Sequence, residues 1–144
     1  MSGFLLDTCV ISELIKPNSE AAVTAWVDAT HEELLFLSVL TLGEIRKGIV
    51  ALPQSARRSR LEIWFGSDLL LRFANRILNI DQGVVDRWGQ FTGTLSRKGI
   101  TVPVIDGLLA ATAIQHNLTL ATRNTKDVAA TGVALFNPWI PTPE

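Results

Sequence analysis

Short apolar runs alternate with longer segments of helical periodicity along most of the chain, and turn-forming residues separate them. Apolar runs of this length are typical of buried strands, and apolar residues three and four apart are typical of amphipathic helices. The pattern predicts strands at residues 4–6, 34–37, 77–80, 118–121 and 133–136. It predicts helices at residues 12–15, 19–29, 41–52, 55–74, 82–98 and 104–116. Gly99 is expected to end the helix before it, because glycine readily adopts the left-handed conformation that closes helices.

Strands separated by helices favour an α/β fold, because parallel strands are joined by helical crossovers. We therefore expect three layers, with a central parallel sheet of about five strands and helices on both faces. The helix 104–116 is apolar on all sides, which predicts a central position. Two consecutive helices, 41–52 and 55–74, separate the second and third strands and exceed what a crossover needs. They are expected to form a protruding helical hairpin.

Composition narrows the class of protein. A length of 144 residues predicts a single domain over residues 1–144, and 47% apolar with 19% charged residues is typical of a globular chain. The balance of 13 basic and 14 acidic residues gives no overall positive field, so nucleic-acid binding depends on local patches such as residues 57–60. One cysteine excludes an internal disulfide and, with two histidines, argues against structural zinc. No secretion signal or run of about 18 apolar residues is evident, so we expect a cytoplasmic protein without membrane contact.

Oxygen-bearing side chains stand at the junctions between the predicted strands and helices. They are Asp7, Glu44, Asp106 and Asn124, with Asp127 three residues after the last. Junctions after parallel strands meet at one edge of a sheet, where α/β proteins bind their ligands. Carboxylates gathered there repel one another unless a cation lies between them. The pattern therefore favours an acidic site for a divalent metal.

Each position also has a structural interpretation. Thr41 and Glu44 have the spacing of a capping box, with Glu44 in the first turn of its helix, and Asp106 fits an N-cap. Asn124 with Asp127 fits a capping box or an Asx turn. Asp7 is harder to explain in this way, because a carboxylate that ends a buried strand is costly without a partner.

Several motifs carry a resemblance to a known family. They are residues 5–13 (LLDTCVISE), 37–38 with 41–44, 106–113 (DGLLAATA), 120–124 (LATRN) and 136–139 (FNPW). In their order and spacing these motifs resemble the PIN-domain family, and within it the VapC and FitB-like toxins of bacterial toxin–antitoxin pairs.

The resemblance implies a set of site residues. Asp7, Glu44 and Asp106 match the three metal-binding acids of the family. Asn124 matches a fourth position where many members have Asp, so the set Asp7, Glu44, Asp106 and Asn124 is expected to be both catalytic and metal-ligating. An amide adds no charge, which weakens a second metal site, and Asp127 is the alternative ligand.

Neighbouring residues have expected roles as well. Thr8 and Thr122 could bond a metal-bound water or a phosphate, and Cys9 stands where relatives commonly have Asn. The basic residues nearest to the acids, which could hold the phosphate backbone, are Arg46, Lys47 and Arg123.

The resemblance implies a toxin that cleaves RNA as an endoribonuclease dependent on Mg²⁺ or Mn²⁺. Hard oxygen ligands suit these ions, and metal-activated water suits a site where neither His31 nor His116 is placed to act as a base. The implied partners are an antitoxin encoded by a neighbouring gene, an RNA substrate and a second copy of the chain, with DNA contacted only through the antitoxin.

The hairpin 41–74 is the expected groove for an antitoxin segment, which would place an Arg among the acids. The aromatic and apolar residues expected either at such a contact or in ordinary core packing are Trp26, Trp64, Phe65 and Leu69.

Two other functions remain open. A haloacid-dehalogenase-type phosphatase would use Asp7 as a nucleophile, but it needs a second Asp where this chain has Cys9. A PIN-like module that only binds nucleic acid or protein, with weak or no catalysis, is favoured by Asn124.

Overall fold

A computed structural model describes residues 2–140, and Met1 and residues 141–144 lie outside that part. The strands are β1 (Phe4–Leu6), β2 (Leu35–Ser38), β3 (Ile77–Leu78), β4 (Thr119–Ala121) and β5 (Leu135–Phe136). The helices are α1 (Thr8–Glu13), α2 (Ala21–Ala29), α3 (Val39–Val50), α4 (Ala56–Ile63), α5 (Leu70–Arg72), α6 (Gln82–Arg97), α7 (Val104–Gln115) and α8 (Thr125–Val128).

The five strands form one parallel sheet in the order β3-β2-β1-β4-β5. Phe4 of β1 pairs with Leu35 on one side and with Thr119 on the other. The first strand therefore lies at the centre, and the residues that follow β1, β2 and β4 lie at one edge of the sheet. The expected α/β fold with a five-stranded parallel sheet is confirmed.

Alternate residues of the strands face opposite sides of the sheet and join two separate hydrophobic clusters. Leu6, Leu35 and Leu37 face the cluster that contains the buried side chains of α1, α2 and α3. Leu5 and Leu120 face the cluster that contains those of α6 and α7. Helix α7 contributes six buried residues, as its apolar sequence predicts. The sheet thus has helices on both faces.

Two helices begin earlier than the periodicity predicts. Asp7 caps α1, so this helix begins at Thr8 and the predicted helix at 12–15 is wrong in its bounds. Ser38 caps α3 by accepting a hydrogen bond from the backbone N–H of Leu40 at 3.0 Å. Asp7 directly follows β1 and Ser38 is the last residue of β2, so in both places the chain turns into a helix without an intervening loop.

The expected hairpin consists of α3 and the helical segment 56–72, in which a π-helical stretch (Trp64–Leu69) separates α4 from α5. Phe65 and Leu69 of this segment, and Phe73 directly after it, face the core and are 7% exposed or less. The hairpin therefore packs along one side against the sheet-facing helices. Ordinary core packing, the structural alternative, applies to Phe65 and Leu69.

Two other details follow the sequence. Trp26 packs edge-on against Phe4, with ring centres 4.9 Å apart, and also contacts Phe136. Gly99 has a φ of 75° after the last turn of α6, as expected of a left-handed helix end.

Candidate active site

Asp7 lies at the centre of the edge formed by the carboxyl ends of the strands. It is 6% exposed, and its backbone N–H donates to the carbonyl of Ala121 at the end of β4. Its Oδ1 accepts from the backbone N–H of Thr8 at 2.7 Å, and its Oδ2 accepts from the Thr122 hydroxyl at 2.7 Å. These bonds offset the cost of burying the carboxylate, and Oδ1, which accepts one bond, keeps a lone pair for a further partner.

Thr122 links Asp7 to the next part of the site. It is 1% exposed, and its Oγ1 accepts from the backbone N–H of Asn124 at 3.0 Å while donating to Asp7. The hydroxyl proton is therefore engaged with a carboxylate. Thr122 was expected to bond a metal-bound water or a phosphate. In the structure its hydroxyl instead holds the Asp7 carboxylate in place.

Glu44 does not cap its helix. It is the sixth residue of α3, and Ser38 is the cap, so the predicted capping box and the first-turn position are both wrong. Thr41 is instead fully buried, and its Oγ1 has no hydrogen-bond partner within residues 2–140. The Glu44 Oε1 accepts from the Thr8 hydroxyl at 2.5 Å, which ties α3 to the start of α1 beside Asp7.

Asp106 is not an N-cap either. The cap of α7 is Pro103, and Asp106 is the third residue of the helix. Burial raises the pKa of Asp106, and the negative charges of Asp7, Asp127 and Glu44 raise it further. Residues far apart in sequence thus share one electrostatic environment, as the junction pattern predicts.

The position of Asp106 depends on a close contact between helices α6 and α7. The indole Nε1 of Trp88 on α6 would lie only 3.1 Å from a Cβ on Gly107. Glycine at this position therefore lets α6 approach the first turn of α7. The sequence alone gave no reason to single out Trp88.

The two candidates for the fourth ligand position, Asn124 and Asp127, differ in their surroundings. Asn124 precedes α8 and is exposed, and its side chain makes no capping bond. Asp127 is in the first turn of α8, and its charge acts on Asp106 more strongly than that of Glu44. The predicted capping interaction of Asn124 is not formed, and the acidic field at this position comes from Asp127.

The donor set suits a hard divalent cation in its chemistry, since it consists of carboxylate and amide oxygens. None of Asp7, Glu44, Asp106 and Asp127 forms an ion pair with another residue in the range 2–140. No three Asp, Glu, His or Cys side chains of that range converge as a ready ligand set. Like charges at this edge repel one another, and a bound cation would offset that repulsion.

Cys9 is beside Asp7, with its Sγ 3.7 Å from Asp7 Oδ2. Burial, followed by the charge of Asp7, raises the pKa of the thiol to about 11. A neutral thiol is a weak hydrogen-bond donor, so Cys9 orients the carboxylate less firmly than an amide in that place.

The two histidines are not at this edge. His31 precedes β2, and His116 follows the last turn of α7. Both positions are at the opposite ends of their elements from the acids, which agrees with the expectation that neither is a general base.

A groove begins at the site and runs between α1 and the hairpin. One cavity of about 220 Å³ is lined by Thr8 and Glu44 at one end and by Ile11, Ile49 and Trp64 further along. A second cavity of about 550 Å³ continues from Trp64 to the basic residues Lys16, Arg57 and Arg60. Of the aromatic residues expected at a contact, Trp64 lines this groove.

The PIN domain family model matches residues 4–132. The chain belongs to the PIN-domain family. It is 39% identical over 135 residues to Toxin FitB of Neisseria gonorrhoeae, covering 94% of this chain and 97% of that protein. It is 36% identical over 137 residues to VapC ribonuclease Y4jK of Sinorhizobium fredii, covering 95% and 98% of the two chains.

A solved structure has the same fold. A chain in the structure of FitAB bound to an IR36 DNA fragment matches with a TM-score of 0.92 at 37% identity, covering 97% of this chain and 98% of that one. The expected PIN-like fold is confirmed. Among residues 2–140, no helix is long and apolar enough to span a membrane.

Proposed function

We propose that this protein is the toxin of a toxin–antitoxin pair and acts as a ribonuclease. Membership of the PIN-domain family and the similarity to a toxin and to a VapC ribonuclease over nearly the whole chain support this function. The observation that carries the chemistry is the shared field of Asp106, Asp7, Asp127 and Glu44, none of which has an ion-pair partner in the range 2–140.

The finer proposal is dependence on Mg²⁺ or Mn²⁺. Asp7, Glu44 and Asp106 are the proposed ligands, with Asn124 or Asp127 at the fourth position. The chemistry that a bound ion supplies is Lewis acidity towards a phosphoryl oxygen and a lowered pKa for water.

The protein's own contribution is to hold the carboxylates in place. Thr122 and the backbone N–H of Thr8 fix Asp7 from two sides, and the Thr8 hydroxyl orients Glu44. Asp7 is buried against the end of β4, which limits the movement of its carboxylate. The open side, next to exposed Asn124, is where an RNA strand would enter.

Cleavage of a labelled single-stranded RNA by the purified protein tests this proposal. Activity should require Mg²⁺ or Mn²⁺, and the variant Asp7→Asn should lose it. Asp28→Asn is the matched control, because Asp28 is exposed near the end of α2, which leads into the start of β2 and not into the carboxyl ends of the strands. Wild-type cleavage that persists in excess chelator would exclude metal dependence.

A second candidate is a PIN-like module that binds without cleaving. The observation that favours it is Asn124, whose amide adds no charge at the fourth position. A metal titration followed by calorimetry distinguishes the two, since the nuclease should bind Mg²⁺ or Mn²⁺ and the binding module should not.

The proposed protein partner is an antitoxin encoded by a neighbouring gene, through which the complex would contact DNA. The apolar groove between α1 and the hairpin fits an amphipathic segment, and its end at Thr8 and Glu44 would bring an Arg of that segment to the acids. A guanidinium binds carboxylates through paired hydrogen bonds and would compete with metal. Truncating the basic tail of the antitoxin should therefore weaken inhibition.

A homodimer in the cytoplasm is the remaining part of the proposal. Apolar residues surround the start of α7 next to Asp106, with Val104 60% exposed and Ile105 38% exposed. Light scattering of the purified protein would measure its mass, and a monomer at all concentrations would refute the dimer.

A further inference from the structure

Arg123 occupies a distinctive place at the rim of the acidic site. It lies between Thr122, whose hydroxyl binds Asp7, and Asn124, whose backbone N–H binds Thr122. The side chain is exposed and forms no ion pair within residues 2–140. Its backbone is thus fixed to the site while its charge remains available.

Trp139 constrains the guanidinium of Arg123. The Arg123 Cζ lies 5.4 Å from the centre of the Trp139 ring. Trp139 packs against the core cluster of α1, α2 and α3, and its backbone N–H donates to Asn137 Oδ1 at 2.9 Å. The ring is therefore a fixed surface. Attraction to a ring face limits the positions of a guanidinium without using its N–H donors.

Glu13, an acidic residue whose charge interacts with that of Arg123, already has other partners. Glu13 is buried, and its carboxylate accepts from Lys16 Nζ at 2.7 Å and from the backbone N–H of Glu20 at 3.0 Å. The positive charge of Arg123 contributes to lowering the pKa of Glu13, but Arg123 forms no ion pair with Glu13. The donors of Arg123 are therefore free to bind an anion from outside.

We propose that Arg123, held by Trp139, binds a phosphate of the RNA strand next to the phosphodiester that is cleaved. This inference rests on the proposed ribonuclease function. A cluster of carboxylates repels a polyanion, so a cation at its rim is needed to bring the strand in. A guanidinium suits a phosphate, because its N–H groups match two oxygens at once. Trp139 is a positioning residue, since it acts through Arg123.

Binding of a fluorescent single-stranded oligoribonucleotide tests the proposal, measured by anisotropy in chelator over a range of salt concentrations. Arg123→Gln should weaken binding about tenfold and reduce the slope of log affinity against log salt by about 0.7. The control is Arg87→Gln, because Arg87 is exposed and bonds Gln115 at the end of α7 opposite Asp106. It should bind within about twofold of wild type.

Trp139 is tested through its dependence on Arg123. Trp139→Leu should weaken binding about two- to fivefold, whereas Trp139→Phe keeps an aromatic face and should lose less. In the Arg123→Gln background, Trp139→Leu should have no further effect on RNA binding, which a purely structural role would not produce. If Trp139→Leu does not fold, the RNA affinities of Arg123→Gln and Trp139→Phe still test the proposal.

The outcomes distinguish a failure of the Arg123 proposal from a failure of the proposed ribonuclease function. If wild type cleaves RNA and Arg123→Gln binds as tightly as Arg87→Gln with an unchanged salt slope, the phosphate contact is wrong and the ribonuclease stands. If wild type cleaves RNA with Mg²⁺ or Mn²⁺ but binds none in chelator at any salt concentration, the phosphate contact is wrong and the ribonuclease stands. If wild type neither binds RNA nor cleaves it with metal, both proposals fail.

Discussion

Replacing Asp106 by Asn should stabilise the metal-free protein while it removes activity. Asp106 accepts no capping bond in α7, so the substitution removes no such bond there. It does remove a partly buried charge that is repelled by Asp7, Asp127 and Glu44. A site built to bind a cation is expected to cost stability when the cation is absent.

The magnitude follows from the number of repulsive neighbours. Repulsion between two like charges near a surface costs about 0.3–0.5 kcal/mol, so three such charges give about 1–1.5 kcal/mol at most. The lower desolvation cost of an amide adds in the same direction. For a chain of this size, that gain in the free energy of unfolding should raise Tm by about 3–6 °C.

The gain should depend on pH. The folded-state pKa of Asp106 is raised above its ordinary value, by burial first and then by the neighbouring charges. Its destabilising effect is therefore absent below the ordinary Asp pKa, grows as pH rises between the ordinary pKa and the raised one, and is fully present above the raised pKa. The difference between Asp106→Asn and wild type should shrink as the solution is acidified, and added salt should also reduce it.

Urea unfolding in chelator, at several pH values, measures this difference. Asp7→Asn is the informative comparison, because Asp7 accepts two hydrogen bonds at 2.7 Å and its substitution should cost about 1–3 kcal/mol while the fold is retained. Adding Mg²⁺ or Mn²⁺ should stabilise wild type and not Asp106→Asn. The reasoning is refuted if Asp106→Asn is less stable than wild type near neutral pH in chelator.

Three further predictions concern single residues. Glu44→Gln should abolish RNA cleavage with little change in Tm, because Glu44 does not cap α3; retained activity would make it structural. Asn124→Asp should tighten metal binding in calorimetry, and Asp127→Asn should weaken it if Asp127 fills the fourth position. Metal affinities equal to that of wild type in both variants would contradict a role for either residue. Glu13→Gln should lower the free energy of unfolding by about 1–2 kcal/mol, since the carboxylate is bonded by Lys16. The pKa of Glu13 is lowered, chiefly by Lys16, so this stability is present above the ordinary Glu pKa and is lost as pH falls through the lowered one; a difference independent of pH would refute the assignment.

The local sequence around the strand ends contained most of the candidate site. Asp7, Glu44, Asp106 and Asn124 could be named because each follows or opens an apolar segment, and parallel strands bring such junctions to one edge. The individual structural interpretations failed where they relied on spacing alone. Ser38 and Pro103 begin the two helices, so Glu44 and Asp106 fall inside them rather than at their caps.

The alternation of short apolar runs with segments of helical periodicity predicted the sheet, its parallel direction and the layers of helices, because local periodicity distinguishes strands from helices and helical crossovers join parallel strands. The tertiary structure decided which side chains meet. Thr122 binds Asp7 across 115 positions of sequence, Thr8 binds Glu44 across 36, and Arg123 meets Trp139 only because β4 and the C-terminal segment converge. Such contacts depend on the strand order and on how far each helix extends. Periodicity carries neither, since the same apolar pattern allows several orders of strands and several helix starts.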